Sequence, residues 1–300
     1  MIDEESQSLV RDLEELTSLS FHMLKDVTMK QMEDEKLRYA AGLFKAIWLA
    51  GEAAIRTHPL SDYYCARGGE TWNPVIIAVL NRFLIEAYLD FHHLFLDKAE
   101  DGEADFRLVM ARLHGVRNLL ERDAGPGDDP RSVPPSSEEL YRDAVRESLP
   151  HKEGYYKERL AANPYFKGPR LTDRDRSRLL CGKHNSSFRY GGIKCQPDRK
   201  KKAERADLRP QIADELHGHL SDFLHAGPVV ADQLPFFSAR VAFARSSMID
   251  APIALCCGMV ACAIGGFAAV FPNCKHHLTD QAQSLVHRYA SLVTAGGPTP

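Results

Sequence analysis

"NPVIIAVLNRFLIEAYLDFHHLFLDKA", residues 73–99, decides the fold. Pro74 suits the first turn of a helix, where its missing N–H leaves no bond unmade, and Asn73 before it is a strong N-cap residue. Apolar side chains then continue around nearly the whole helical circumference, so this helix must be covered on most sides, and it is expected at the centre of a bundle. Its few polar residues are therefore informative. Arg82 and Glu86 stand at i, i+4 and share a face, with His93 within about 20° of the same line. A buried arginine needs a carboxylate, and a pair tying helices together is the simplest use of these two.

Working outward, apolar residues recur at helical spacing almost everywhere, and no stretch shows sustained period-two alternation. The predicted fold is all-α, a multi-helix bundle with a central apolar helix and a basic, loop-rich insertion. Helices are predicted over 3–33, 36–57, 74–99, 103–122, 137–149, 152–162, 173–181, 203–226, 230–249, 252–271 and 279–294. Start signals support several of them: Ser136 with Glu139 and Thr172 with Asp175 have capping-box spacing, and Thr279 precedes the last helix. Two stretches break the pattern. "DAGPGDDPRSVPPSS", 123–137, cannot propagate a helix, and 181–205 reads as a long polar basic loop. Residues 1–300 are expected to form one helical domain, with 123–205 a linker and basic insertion within it.

"APIALCCGMVACAIGGFAAVF", 251–271, has no charged residue and as a helix would be about 32 Å long, enough to span a bilayer. Thirteen of its residues are Ala, Gly, Cys or Pro, which suits a core helix whose small face lets a neighbour approach closely. No basic flank or aromatic belt borders it, so the core reading is preferred and no membrane partner is expected.

The chain of 300 residues is 44% hydrophobic with a net charge of −3, which excludes both a disordered chain and a polycation built to coat nucleic acid. The charge is unevenly spread: residues 167–209 hold fourteen Lys or Arg against five Asp or Glu, leaving 24 basic and 36 acidic residues elsewhere. Seven cysteines, an odd number, and no basic-then-apolar secretory signal point to a cytoplasmic location.

Thirteen histidines raise the question of a metal. Cys181, His184 and Cys195 lack a fourth ligand, while His217 and His225 lie two helical turns, about 12 Å, apart; no metal or cofactor is expected. Phosphate-loop, dinucleotide and Gly-x-Ser-x-Gly motifs are missing, which removes the common nucleotide and hydrolase readings. In "ELHGHLSDFLHAGP", 215–228, His217, Ser221 and His225 share a line bordering the apolar stripe Ile212, Leu216, Leu220 and Leu224. Polar residues at a core boundary need partners, so the helices carrying Arg82 with Glu86 and Ser221 with His225 are expected side by side.

"RFLIE" (82–86), then "LSDFLHAGP" (220–228), then an uncharged Ala-rich helix resemble, in that order, an uncharacterised family of bacterial all-helical proteins. That family is distantly similar to the HEPN superfamily, which includes RNA-cutting toxins and phage-defence proteins. The resemblance covers about 73–271, interrupted by the insertion, and implies a bundle bringing Arg82, Glu86, Ser221 and His225 together. Metal-free RNA cleavage would then use His225 to move protons and Arg82 to stabilise phosphate charge, with Glu86 and Ser221 orienting them. The Arg-x4-6-His spacing of active HEPN ribonucleases occurs as Arg107 to His114, Arg146 to His151 and Arg178 to His184, so spacing alone singles out none of them. In the basic insertion Arg189, Arg199, Lys200, Lys201 and Lys202, beside Phe188 and Tyr190, are the expected contacts for RNA. The alternative is a non-catalytic helical module binding a protein or small ligand.

Overall fold

A computed structural model describes residues 4–58, 74–123, 137–181, 197–212 and 250–296, and among these the regular structure is helical with no strand. In chain order the elements are α1 (Glu4–Lys25), α2 (Met29–Glu33), α3 (Glu35–Thr57), α4 (Pro74–Phe95), α5 (Glu103–Asp123), α6 (Ser137–Ala162), α7 (Pro164–Lys167), α8 (Asp173–Cys181), α9 (Arg199–Arg205), α10 (Ala251–Val270), a 3-10 helix (Pro272–His277) and α11 (Asp280–Val293). The chain divides into two compact units, residues 1–97 with 200–300 and residues 98–199.

Local chemistry sets the boundaries that differ from expectation. The helix predicted over 3–33 stops at residue 25, because Thr28 forms a capping box with Gln31 and starts α2 afresh. Asp34 then accepts from the Leu37 N–H and starts α3. Helices predicted over 137–149 and 152–162 are one helix, α6, which runs through Pro150 without that residue's backbone hydrogen bond. Residues 199–205, expected in the basic loop, are helical as α9, so the basic run itself begins a helix.

In the first unit the central position falls to α10, which packs against α1, α3, α4, α11 and the 3-10 helix. It is the one helix among the described residues long and apolar enough to cross a membrane, and 78% of its most apolar window is buried inside the fold. Small residues bring its neighbours close. A Cβ on Gly258 would meet Val293 of α11 at 2.5 Å, and one on Gly266 would meet Leu96 at 2.7 Å and Phe91 of α4 at 3.1 Å. Larger residues fill the space between: Phe267 stacks on Phe44 of α3 at 4.0 Å and on Phe271 at 4.4 Å. On α4 the fully buried Asn81 donates to the Pro252 carbonyl and accepts from the Cys256 thiol, each at 3.1 Å. Among the described residues the buried cysteines Cys256, Cys257, Cys262 and Cys274 are free. Burial pushes the thiols of Cys256 and Cys257 well above the ordinary range, that of Cys262 to about 12 and that of Cys274 to about 11.

In the second unit α5 packs along α6, and Phe106, Leu113, Leu149, Leu160 and Leu179 are buried there. Asn163 caps α7 with its side-chain oxygen and donates its amide to the Gly102 carbonyl and to Asp105. Arg117 donates to the carbonyls of Leu179 and Leu180, satisfying the end of α8, and pairs with Glu153 at 3.2 Å. Burial alone would raise the Glu153 carboxyl, but hydrogen bonds from Lys157 and Arg117 hold it below its ordinary value.

Gly258→Ala should cost about 1–3 kcal/mol by overpacking against α11, whereas Gly265→Ala, with open space at its Cβ position, should be neutral or stabilising; urea unfolding separates them. Acid should act through His58, which burial holds at about 4 against an ordinary 6.5. The unfolded chain binds this proton first, so the stability contribution is complete above 6.5 and is lost as pH falls towards 4. His58→Gln should flatten that part of a stability-versus-pH curve.

Candidate functional site

Helix α4 has two faces. Leu84, Ile85, Tyr88 and Phe91 are buried on one, while Ile76, Val79 and Phe83 are 37–41% exposed on the other. Arg82 and Glu86 sit at the border, with side chains 20% and 25% exposed. The Arg82 Nε donates to Glu86 Oε1 at 3.3 Å, the pair that i, i+4 spacing predicts. Among the described residues Glu86 is the partner of Arg82, engaged through Nε, and the arginine side chain keeps 20% of its surface in solvent. A guanidinium held through Nε and partly exposed can still meet an anion.

The far end of α4 is neutralised by α9. Lys202 donates to Asp90 at 3.0 Å and Arg205 to Asp97 at 2.8 Å, while buried His93 lies with Nδ1 3.5 Å from the Asp97 carboxylate. The basic run thus splits by helical geometry. Lys200 and Lys201 are exposed and Arg199 is half-buried, but Lys202 is only 4% exposed with its ammonium held by Asp90. Lys202, expected on the RNA-facing surface, is turned inward because a helix places neighbouring residues about 100° apart.

Ser221, His225 and Arg189 lie outside the described residues, as do His217 and the helix predicted over 230–249; of the helix predicted over 203–226 only residues to 212 are described, and it breaks after Arg205, where Asp207 takes a φ of 53°. Of the three Arg-to-His spacings, Arg107 is buried, donating to Glu103 at 2.7 Å and to the Lys98 carbonyl, and His114 lies 3.0 Å from the Asn118 amide. This arginine is committed to the interior of its unit. His184 lies outside the described residues, and His151 is exposed.

A cluster that no sequence expectation covered lies where α1 ends. Asp26 meets His276 and His277, with donor atoms within 4.8 Å of one another. The partners are 250 residues apart, so no local spacing could reveal them; the visible signal was the His-His pair closing a short turn between two helices.

The chain matches no family model, no curated protein and no solved structure. The likeness to HEPN proteins therefore rests on the short motifs alone.

Lys202→Glu should destabilise the fold by about 3–5 kcal/mol, as expected for a buried pair that loses one partner, while Lys200→Glu and Lys201→Glu should unfold like the parent in urea.

Proposed function

We propose that this chain is a bacterial, cytoplasmic, HEPN-like protein of the toxin or phage-defence type that acts on RNA. One observation carries the reading: Arg82 stands at the border of core and solvent on α4, its side chain 20% exposed and tethered through Nε to Glu86. A guanidinium so placed stabilises phosphate charge better than one exposed in water, because its orientation is fixed and its hydration reduced. In this mechanism His225 moves the proton of the attacking hydroxyl, Arg82 meets the charge that builds on phosphate, and Glu86 and Ser221 orient the two. Lys200 and Lys201, with Arg199 and Arg189, hold the flanking backbone.

A second reading has its own support. Ile76, Val79 and Phe83 recur at i, i+3 and i+7 and stay exposed beside the pair, as on a helix that receives a protein partner. In that case the chain is a non-catalytic binding module and the Arg82–Glu86 pair specifies the partner.

Purified full chain incubated with total RNA separates the two. Cleavage lost by at least about a hundredfold in both His225→Ala and Arg82→Ala supports the enzyme, the size expected when a proton-transfer or charge-stabilising group is removed. Absence of wild-type cleavage across salt and pH, or cleavage unchanged in both variants, overturns it. In RNA binding, Lys200→Glu with Lys201→Glu should weaken affinity and flatten its salt dependence, because fewer counterions are released.

A further inference from the structure

We propose that Asp26, His276 and His277 form a binding site for one divalent transition-metal ion, and that Zn2+ is the ion its donors fit. Two segments build it. Asp26 follows the last turn of α1, and the histidines end the 3-10 helix that Pro272 starts after α10. Side-chain hydrogen bonds fix these segments to each other before any ion arrives. Asn273 donates to the Asp26 carbonyl at 3.0 Å and accepts from Gln31 at 2.9 Å, and the buried Cys274 thiol donates to the Met23 carbonyl.

The hydrogen bond that matters most is made by the other nitrogen of His276. Its Nδ1 lies 2.9 Å from the Asn273 carbonyl oxygen, which can only accept, so Nδ1 carries a proton. In the neutral ring Nε2 then holds a lone pair, and that lone pair faces Asp26 Oδ2 at 3.2 Å. The Nε2 of His277 approaches the same oxygen at 2.8 Å. One oxygen thus faces two imidazole nitrogens, and in the neutral form of His276 an inward Nε2 lone pair is available beside it as a ligand. A proton on His276 alone turns its contact with Asp26 into an ion pair, and a metal ion would take that proton's place between the same atoms. The three donor atoms, all within 4.8 Å of one another, can share a single metal ion. A carbonyl holding Nδ1–H so that Nε2 points inwards is the usual outer support of a metal-bound histidine.

Distances and donor types select the metal. With metal–ligand bonds of roughly 2.0–2.1 Å, adjacent donors lie about 2.9–3.4 Å apart for octahedral to tetrahedral angles, close to the two separations from Asp26. Two imidazoles and one carboxylate suit zinc and its neighbours, whereas magnesium and calcium favour all-oxygen sets. Cys274 points away into the core and is not a ligand. The site is open: the His276 side chain is 64% exposed and that of Asp26 34%, leaving room for water. His22, about one helical turn before Asp26, has its ring 6.0 Å from that of His277.

The test uses the full chain, stripped with a chelator and titrated with Zn2+ against a chromophoric competitor. The wild type should take one ion tightly, and Asp26→Asn and His276→Gln should each weaken it at least about tenfold. Zinc should also raise the wild-type melting temperature, and raise it less in either variant. His276 is largely exposed, so its variant should keep the wild-type far-UV circular dichroism, and Asp26→Asn tests the same ion from the other segment. The proposal is overturned if the wild type takes up no zinc at about 100 μM free ion, or if both variants bind as tightly as the parent, the metal then residing on other histidines or cysteines.

Discussion

A helix of 20 residues without a charge has to be covered over most of its surface, and α10 is the constraint around which the first unit is arranged. Its coverage depends on close approach. Gly258 and Gly266 leave the space into which Val293, Leu96 and Phe91 extend, while Gly51 of α3 does the same for Thr17 and Val260. Close packing of this kind multiplies small dispersion contacts and leaves no room for a polar group without a partner. Asn81 meets the requirement by taking both the Pro252 carbonyl and the Cys256 thiol, and so also fixes the rotation of α4 about its axis.

That rotation carries over to the candidate site. With Asn81, Leu84, Ile85 and Tyr88 turned to the core, Arg82 and Glu86 necessarily fall at the border and Ile76, Val79 and Phe83 outside it. The Asp90 and Asp97 carboxylates then face α9, whose Lys202 and Arg205 meet them. A basic stretch that looks uniform as sequence is thereby divided between a structural use and an exposed remainder.

Much of the fold was legible in the sequence because helix signals are local. The all-α class, the proline-led start of α4, the Thr172 and Thr279 caps and the small-residue character of α10 all lie within a few neighbouring residues. What was not legible depends on tertiary context. The central place falls to α10 rather than α4, since both runs are apolar and only the packing ranks them. The inward turn of Lys202 depends on Asp90, 112 positions away. Of the four residues expected from motifs, Arg82 and Glu86 make the contact that their local i, i+4 spacing predicts. The other two, Ser221 and His225, lie outside the described residues. The Asp26, His276 and His277 cluster was beyond any pattern rule, since chain topology alone joins its parts.

The buried thiols have a use of a different kind. A thiol must ionise and meet its reagent in order to be alkylated, and burial suppresses both steps at Cys256, Cys257 and Cys262. Modification at these positions then waits for the surrounding helices to part. The labelling rate of each sulfur accordingly measures how often the packing around α10 breathes, residue by residue, in a protein that carries its own probes without any introduced group.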